Sequence, residues 1–293
     1  MLFRSCGEAS GDLYAGALVR ELRRLVPDVE IAGLAGPEFA GAGGQLLEDF
    51  RGLSVTGFAE IVGKVPRLRR AKKHLVEWAR TRRPAALVAI DYFGFNGRLA
   101  HDVKACGIPV VYYISPQIWA WRTGRIRLLR KVTDRMLVIF PFEERIYRDA
   151  GVPVEFVGHP LVDLARAQTP RSELLGRLGL DASRPTVAVL PGSRTSELRR
   201  ILPTLTEAAA LIRQSVPSAQ FVFARAPHLD DGLFDPARAL PRAAIVEGQT
   251  DAVLAASDIV LTASGTATVQ AALHDKPMVV VYRVSPQIGR AHV

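Results

Sequence analysis

Short apolar runs that alternate with amphipathic stretches constrain the fold of this chain more than any other feature. In the first half the runs predict strands at residues 87–90, 110–114, 136–139 and 154–157, with helices at residues 11–26, 96–106 and 142–150. Strands rich in Val, Ile and Leu that alternate with helices are typical of βαβ units with a parallel sheet covered on both faces. We therefore expect an α/β protein whose first domain is Rossmann-like.

The same alternation restarts after a polar, proline-containing stretch at residues 164–171. It predicts strands at residues 186–190, 220–224, 243–247, 258–262 and 278–282, and helices at residues 194–215, 251–256 and 266–273. We therefore expect two Rossmann-like domains, 1–163 and 164–293, that face a cleft, with ligands at the carboxyl ends of the strands. Because the chain ends soon after the strand at 278–282, we expect the second domain to be incomplete.

Composition limits the class of protein and of partner. The chain has 293 residues, of which 48% are hydrophobic, and this is enough for two cores of ordinary size. A net charge of +9 favours anionic partners such as phosphorylated substrates, nucleic acid or a membrane surface. Two cysteines without a CxxC spacing make a structural zinc site unexpected. No apolar run approaches the roughly 18 residues of a spanning helix, so we expect a soluble or peripheral protein.

The loop after the first short strand has the sequence Gly7-Glu8-Ala9-Ser10-Gly11-Asp12. Small residues let a backbone turn tightly against a ligand, and Glu8 would then contact substrate. The alternative is a plain turn into a helix that Ser10 or Asp12 caps. The two acidic residues make this loop a poor cradle for pyrophosphate.

A second motif, Ile90-Asp91-Tyr92-Phe93-Gly94-Phe95-Asn96, begins at the end of a predicted buried strand. A carboxylate at this point is costly to bury unpaired and well placed to meet a substrate. Asp91 is therefore a candidate general base toward a hydroxyl group. The alternative is a capping or turn role. The following aromatic segment at residues 113–122 either lines an acyl or sugar site or is a packed loop.

Two loops of the predicted second domain each join a strand to a helix through small, hydroxyl-bearing residues. The first reads LPGSRTSE at residues 190–197 and the second ASGTATVQ at residues 263–270. Helix N-termini with hydroxyls and an Arg suit a diphosphate. The candidate substrate-binding residues are Gly192, Ser193, Arg194 and Glu197 in the first loop and Ser264, Gly265, Thr266, Thr268 and Gln270 in the second.

A basic, partly apolar segment spans residues 61–84. Cations with interleaved apolar side chains are what a helix at a membrane interface needs. The alternatives are a solvated charged face and a nucleic-acid surface, although no RRM, KH or helix-turn-helix pattern accompanies it. The candidate membrane-contact residues are Val65, Leu68, Arg69, Arg70, Lys72, Lys73, Leu75 and Val76.

Six motifs in register resemble the lipid-A-disaccharide synthase family. They are GEASGD, IDYFGFN, YYISPQIWAWR, VGHPL, VLPGSRTSE and SGTATVQ followed by PMVVVYR. The resemblance implies a GT-B fold and a transfer that needs neither a metal nor another cofactor. It implies inverting transfer of 2,3-diacylglucosamine from UDP to 2,3-diacylglucosamine 1-phosphate, which yields the β-1,6-linked disaccharide 1-phosphate and UDP. The implied location is the cytoplasmic face of the inner membrane of Gram-negative bacteria, with a homodimer where the C-terminus is complete.

The same resemblance assigns roles by position. Asp91 falls on the general base and Glu8 on an acidic residue of the first loop, whereas Arg194 falls on the arginine expected at the UDP diphosphate. Ser10 and Asn96 belong to these motifs and are further candidates for substrate binding. Gln270 departs from the pattern, which has Glu near the ribose. Two alternatives are kept: another UDP-N-acetylglucosamine transferase or epimerase, and a basic nucleic-acid-binding protein without catalysis.

Overall fold

The computed structural model describes residues 2–5, 9–50, 58–118, 123–227 and 229–283. The chain divides into two compact units, Met1–Pro160 and Leu161–Val293. Each unit contains one parallel β-sheet with helices in the connections between strands. This confirms the predicted α/β class.

The first unit has a seven-stranded sheet in the order β3-β2-β1-β4-β5-β6-β7, and all its strand pairs are parallel. The strands are β1 Leu2–Ser5, β2 Ile31–Ala35, β3 Gln45–Asp49, β4 Ala86–Ile90, β5 Val110–Tyr113, β6 Arg135–Val138 and β7 Val154–Phe156. The helices are α1 Ala9–Leu25, α2 Pro37–Gly41, α3 Phe58–Arg82, α4 Phe93–Ala105, α5 Ile126–Val132 and α6 Pro141–Asp149.

The predicted elements of this unit are confirmed to within three residues at each end. Sequence reasoning missed β2, β3, α2 and α5. The edge strand β3 reads QLLED, so it has too few apolar residues to stand out by periodicity. α2 has five residues and α5 has seven, and helices this short carry little periodic signal.

Helix α3 packs on the sheet through one stripe of small and apolar side chains. Ala71, Leu75 and Ala79 are four residues apart, and each is at most 3% exposed. That spacing brings them to one helix face, which meets Leu87 of β4 and Leu99 of α4 in the same core. Within the described parts of the chain, no helix has the length and apolar character needed to cross a bilayer.

The second unit has a five-stranded sheet in the order β10-β9-β8-β11-β12, again with parallel pairs. The strands are β8 Thr186–Leu190, β9 Gln220–Arg225, β10 Ala243–Glu247, β11 Ile259–Ala263 and β12 Met278–Val281. The helices are α7 Leu161–Leu164, α8 Arg171–Arg177, α9 Thr195–Ser215, α10 Asp235–Arg238, α11 Thr250–Ala255 and α12 Thr266–Leu273. Every residue of the central strand β8 is buried, which explains its continuous apolar sequence.

Strand order reverses once in each sheet, and these two points position the motifs. In the first sheet β1 pairs with β4, and Ser5 lies opposite Ala89. In the second sheet β8 pairs with β11, and Leu190 lies opposite Thr262. Ligands of open parallel sheets bind outside the carboxyl ends of the strands at such reversals. Both motifs of the second unit, and the Asp91 motif of the first, directly follow these strands.

Candidate functional site

Asp91 directly follows β4 at the strand reversal of the first sheet, and its side chain is exposed. Its backbone φ is 42°, and that of Tyr92 is 44°, so two successive non-glycine residues have left-handed backbones. Such conformations are uncommon for L-residues and persist only where the surrounding structure holds them. They occur more often at functional sites than elsewhere. Asp91 therefore has a defined backbone conformation at the edge of the sheet formed by the carboxyl ends of the strands. We call this edge the ligand edge.

Asn96 is fully buried and forms hydrogen bonds with the end of β4 and the residue after it. Its Nδ2 donates to the carbonyl oxygens of Ile90 at 3.0 Å and Asp91 at 2.9 Å. Tyr112, which is also fully buried, donates its hydroxyl to the Asp91 carbonyl at 2.7 Å. The expected contact between the Asn96 side chain and substrate is therefore wrong, because the side chain is enclosed and its amide is committed to the backbone.

The first turn of α1 carries the described part of the GEASGD loop, whereas Cys6, Gly7 and Glu8 lie outside the described residues. Ser10 is partly exposed and lies inside α1, so it is not the helix cap. Asp12 is 2% exposed and accepts hydrogen bonds from the backbone N–H groups of Gly36 at 2.8 Å and Glu38 at 2.9 Å. The alternative in which Ser10 or Asp12 caps α1 is therefore wrong, because Ser10 lies inside α1 and the Asp12 carboxylate stabilises the N-terminus of α2.

An aromatic group that sequence reasoning did not assemble borders the same edge. The ring of His159 lies 6.2 Å from that of Tyr14 and 5.6 Å from that of Phe140. Burial lowers the pKa of His159 and so favours the neutral imidazole. Burial, with the nearby Tyr113 and the charge of Asp91, raises the pKa of Tyr14. Tyr14 lies on α1, and Asp91 directly follows β4.

The aromatic segment at residues 113–122 is held near its start by the buried carboxylate of Glu143. Glu143 is 1% exposed and accepts hydrogen bonds from Ser115 Oγ at 2.7 Å and from the backbone N–H of Phe140 at 3.1 Å. The buried Tyr147 donates to the Pro116 carbonyl at 3.1 Å. The described part of this segment is therefore a packed loop, and Trp119 and Trp121 lie outside the described residues.

The first loop of the second unit turns at Gly192, whose φ is 114°. The positive φ favours glycine at this position, and a Cβ here would also crowd the Glu197 side chain, whose Oε2 would lie 2.9 Å away. Arg194 immediately precedes α9 and donates from Nη1 to Oε1 of Glu197 at 2.8 Å. Ser193 is exposed beside it. A cation and a helix N-terminus thus coincide, which is the arrangement that binds anions.

The second loop of this unit exposes Ser264, Gly265 and Thr266 at the carboxyl end of β11. The hydroxyl of Thr268 donates a hydrogen bond to the Gly265 carbonyl at 2.7 Å, and this bond stabilises the turn that leads into α12. Across the ranges that the structure describes, no group of three or more His, Cys, Asp or Glu side chains could hold a metal ion. The donors available for an anionic ligand on this edge are hydroxyls, backbone N–H groups and the Arg194 guanidinium.

A family model described as lipid-A-disaccharide synthetase matches residues 2–288. This chain belongs to the lipid-A-disaccharide synthase family. The synthase of Anaeromyxobacter dehalogenans (strain 2CP-C) is 46% identical over 282 residues, which cover 95% of this chain and 73% of the relative. The chain is thus a glycosyltransferase by family, as the sequence resemblance predicted.

Two solved structures have the same fold at low sequence identity. One is the UDP-GlcNAc 2-epimerase from Neisseria meningitidis bound to UDP-GlcNAc, with a TM-score of 0.69, 12% identity, and coverage of 99% of this chain and 84% of that chain. The other is the glycosyltransferase of kitacinnamycin, with a TM-score of 0.62, 17% identity, and coverage of 99% and 82%. The likeness confirms the Rossmann-like units of the GT-B class for this member of the lipid-A-disaccharide synthase family.

Gln270, a candidate substrate-binding residue, belongs to a side-chain cluster with Asp251 and His274. Nε2 of Gln270 donates to Oδ1 of Asp251 at 3.2 Å, and Nε2 of His274 lies 3.0 Å from the same oxygen. Sequence reasoning missed this pairing because Asp251 lies on α11 whereas His274 directly follows α12. The carboxylate of this cluster therefore comes from α11, and α12 supplies an amide.

The prediction that apolar side chains of α3 contact a membrane is wrong for those of this helix that pack into the core. Leu75 is fully buried in the core, so its side chain is not available to a membrane. Leu68 and Val76 are partly buried and pack against the same core, and Lys72 pairs with Asp102 at 2.6 Å. The exposed Lys and Arg residues on the described part of α3 are Arg67, Arg69, Arg70, Lys73, Arg80 and Arg82. Its exposed face is thus cationic rather than apolar.

Proposed function

We propose that this chain transfers 2,3-diacylglucosamine from UDP to 2,3-diacylglucosamine 1-phosphate with inversion at the anomeric carbon. The products are the β-1,6-linked disaccharide 1-phosphate and UDP. Membership of the lipid-A-disaccharide synthase family supports the glycosyltransferase chemistry. The observation that carries the proposal is that, within each unit by itself, the candidate residues directly follow the strands at which the sheet reverses: Asp91 in the first unit and both hydroxyl-rich loops in the second.

Asp91 is the general base of the proposed reaction. Its carboxylate takes the proton of the acceptor 6-hydroxyl while that oxygen bonds to the anomeric carbon and the bond from this carbon to UDP breaks. A single displacement of this kind inverts the anomeric centre, and UDP leaves with the electron pair of the broken bond. The exposure of Asp91 at the ligand edge supports this role. Glu8, which lies outside the described residues, remains a second acidic candidate.

The loops of the second unit bind UDP in this proposal. The diphosphate meets the N-terminus of α9, where Gly192 leaves space for the backbone N–H groups and Ser193 and Arg194 donate hydrogen bonds. Arg194 then exchanges its contact with Glu197 for the diphosphate, which stabilises the charge of the leaving group. Ser264, Gly265 and Thr266 supply hydroxyls and backbone donors to the same nucleotide. The UDP-GlcNAc bound to the Neisseria meningitidis epimerase supports a UDP-sugar as the ligand class.

The proposed location is the cytoplasmic face of the inner membrane, with a homodimer where the C-terminus is complete. Both proposed substrates carry acyl chains, so the enzyme must reach them at a bilayer. The exposed cations of α3 supply attraction to anionic head groups, at about 1 kcal/mol for each cation near the surface.

Product analysis tests the function directly. The chain is incubated with UDP-2,3-diacylglucosamine and radiolabelled 2,3-diacylglucosamine 1-phosphate, and the labelled product is separated and its anomeric configuration determined by NMR. A β-1,6-linked disaccharide and stoichiometric UDP are expected. Turnover of UDP-N-acetylglucosamine without an acceptor would instead indicate an epimerase. Salt-sensitive binding of nucleic acid without stabilisation by UDP would favour the nucleic-acid alternative.

A further inference from the structure

The two peptide groups that flank the side chain of Asp91 are both held by neighbours. Its backbone N–H donates to the carbonyl of Tyr113 at 3.1 Å, which extends the β4–β5 pairing by one residue. Its carbonyl accepts from Tyr112 Oη at 2.7 Å and from Asn96 Nδ2 at 2.9 Å. The direction of the Asp91 Cα–Cβ bond is therefore set by hydrogen bonds on both sides.

The conformation that these bonds hold is one that Asp91 would not adopt by itself. A positive φ is unfavourable for a residue with a Cβ, and Tyr92 has a positive φ as well. Asn96 also donates to the carbonyl of Ile90 at 3.0 Å, so one amide ties the last residue of β4 to the turn that follows. The turn thus depends on side chains that come from α4 and β5.

Asn96 and Tyr112 act from the protein interior. Both side chains are fully buried, and their hydrogen-bonding groups point to the strand end rather than to the exposed edge. Burial, together with the charge of Asp91, raises the pKa of Tyr112, so its hydroxyl remains a donor throughout the pH range of an enzyme assay. Neither group reaches a substrate at the surface, and both act on it only through Asp91.

We propose that Asn96 and Tyr112 are positioning residues that hold the backbone of Asp91 left-handed and thereby aim its carboxylate at the acceptor hydroxyl. This inference rests on the proposed role of Asp91 as general base. A misplacement of about 1 Å costs a catalytic group on the order of a hundredfold in rate. Loss of one donor should therefore lower kcat and leave substrate affinity nearly unchanged.

The test is the variant Tyr112→Phe, which removes one oxygen atom and keeps the buried ring. We expect kcat to fall at least tenfold, with KM for the UDP-sugar within twofold, at a temperature well below the melting transition. The matched control is Ser257→Ala, which removes another buried hydroxyl that donates to a backbone carbonyl, that of Val253 at 2.7 Å. Because Ser257 precedes β11, it lies at the opposite strand end from the ligand edge, and its loss should leave kcat unchanged.

A second measurement separates positioning from a general loss of structure. In an Asp91→Asn background, adding Tyr112→Phe should leave the residual rate unchanged, because a positioning residue has no effect once the base is gone. If Tyr112→Phe unfolds the protein, Asn96→Ser replaces it, and the same dependence on Asp91 is expected. A normal kcat in a folded single variant, or an equal further loss in the Asp91→Asn background, overturns the positioning role. A normal rate for Asp91→Asn itself refutes the proposed base instead.

Discussion

Nε2 of Gln270 donates a hydrogen bond to Oδ1 of Asp251 across 3.2 Å. Gln270 lies on α12 and Asp251 in the first turn of α11, so this bond ties the helix before β11 to the helix after it. Its direction matters, because the amide that faces Asp251 must be a donor. A carboxylate at position 270 would place two acceptors, both negatively charged, against each other.

Gln270→Glu should therefore destabilise the second unit by about 1 kcal/mol, since two like charges in contact repel. The measurement is the denaturant midpoint at neutral pH. Adding Asp251→Asn should restore most of the loss, because an Asn amide can donate to the new Glu. Strict additivity of the two single changes would show that positions 251 and 270 are not coupled in solution.

Arg194→Ala should weaken UDP binding, and Arg194→Lys should restore it only in part, because an ammonium group does not reproduce the paired donors of a guanidinium. A charge-assisted hydrogen bond contributes about 1.5–3 kcal/mol, so the affinity should fall at least tenfold. Isothermal titration with UDP gives the affinity. Arg200→Ala, at an exposed position on α9, is the control and should bind UDP normally. Unchanged affinity in Arg194→Ala would move the diphosphate site elsewhere.

Replacement of Arg69, Arg70 and Lys73 by Gln should lower binding to anionic vesicles and have little effect on neutral ones. Each cation contributes about 1 kcal/mol near such a surface, and the contribution falls with salt. Co-sedimentation across salt concentrations measures it. The control removes the same charge from exposed Arg20, Arg145 and Arg148 of the same unit. Equal losses in the two triple variants would mean that net charge alone, and not α3, governs the attachment.

Leu75→Ala should destabilise the first unit and not act through a membrane. Its side chain is fully buried, and truncation of a buried Leu typically costs about 2–5 kcal/mol. Denaturant unfolding in the absence of lipid should show the loss. Lys73→Ala, exposed on the same helix, should change stability by at most about 0.5 kcal/mol. If Leu75→Ala had normal stability but impaired vesicle binding, Leu75 would be a membrane-contact residue after all.

Asp258 should make the second unit sensitive to acid. Burial acts to raise its pKa, but hydrogen bonds from Arg171 and from the backbone N–H of Thr186 hold the pKa below the usual value. A lowered folded-state pKa stabilises the fold above the unfolded-state pKa, and this stabilisation is lost as pH falls through the folded value. The stability difference between the wild type and Asp258→Asn should thus be full at pH 7 and shrink below about pH 4. Asp163→Asn, exposed in the same unit, is the control.

The periodicity of hydrophobic residues and the composition of the turns were sufficient to predict where most strands and helices lie. The central strand β8 and the helix α12 have the predicted bounds, because a buried parallel strand and a small-residue turn leave a clear local pattern. The short elements α2 and β3 have no such pattern. Asp12 illustrates the reason, since its carboxylate stabilises a helix that begins 25 residues later in the chain, and local sequence cannot indicate that pairing.

For the candidate site, the local sequence was enough to predict the chemical groups: Asp91 after an apolar run, and hydroxyls with an Arg after two other runs. Which side chains face outward depends instead on how the segments pack together. Asn96 and Leu75 looked available in sequence, yet both are fully buried, because helix packing against the sheet selects one face of each helix. Likewise, Gln270 meets Asp251 only because α11 and α12 are neighbours. Side-chain identity is local, but burial and partnership depend on contacts between segments far apart in the chain.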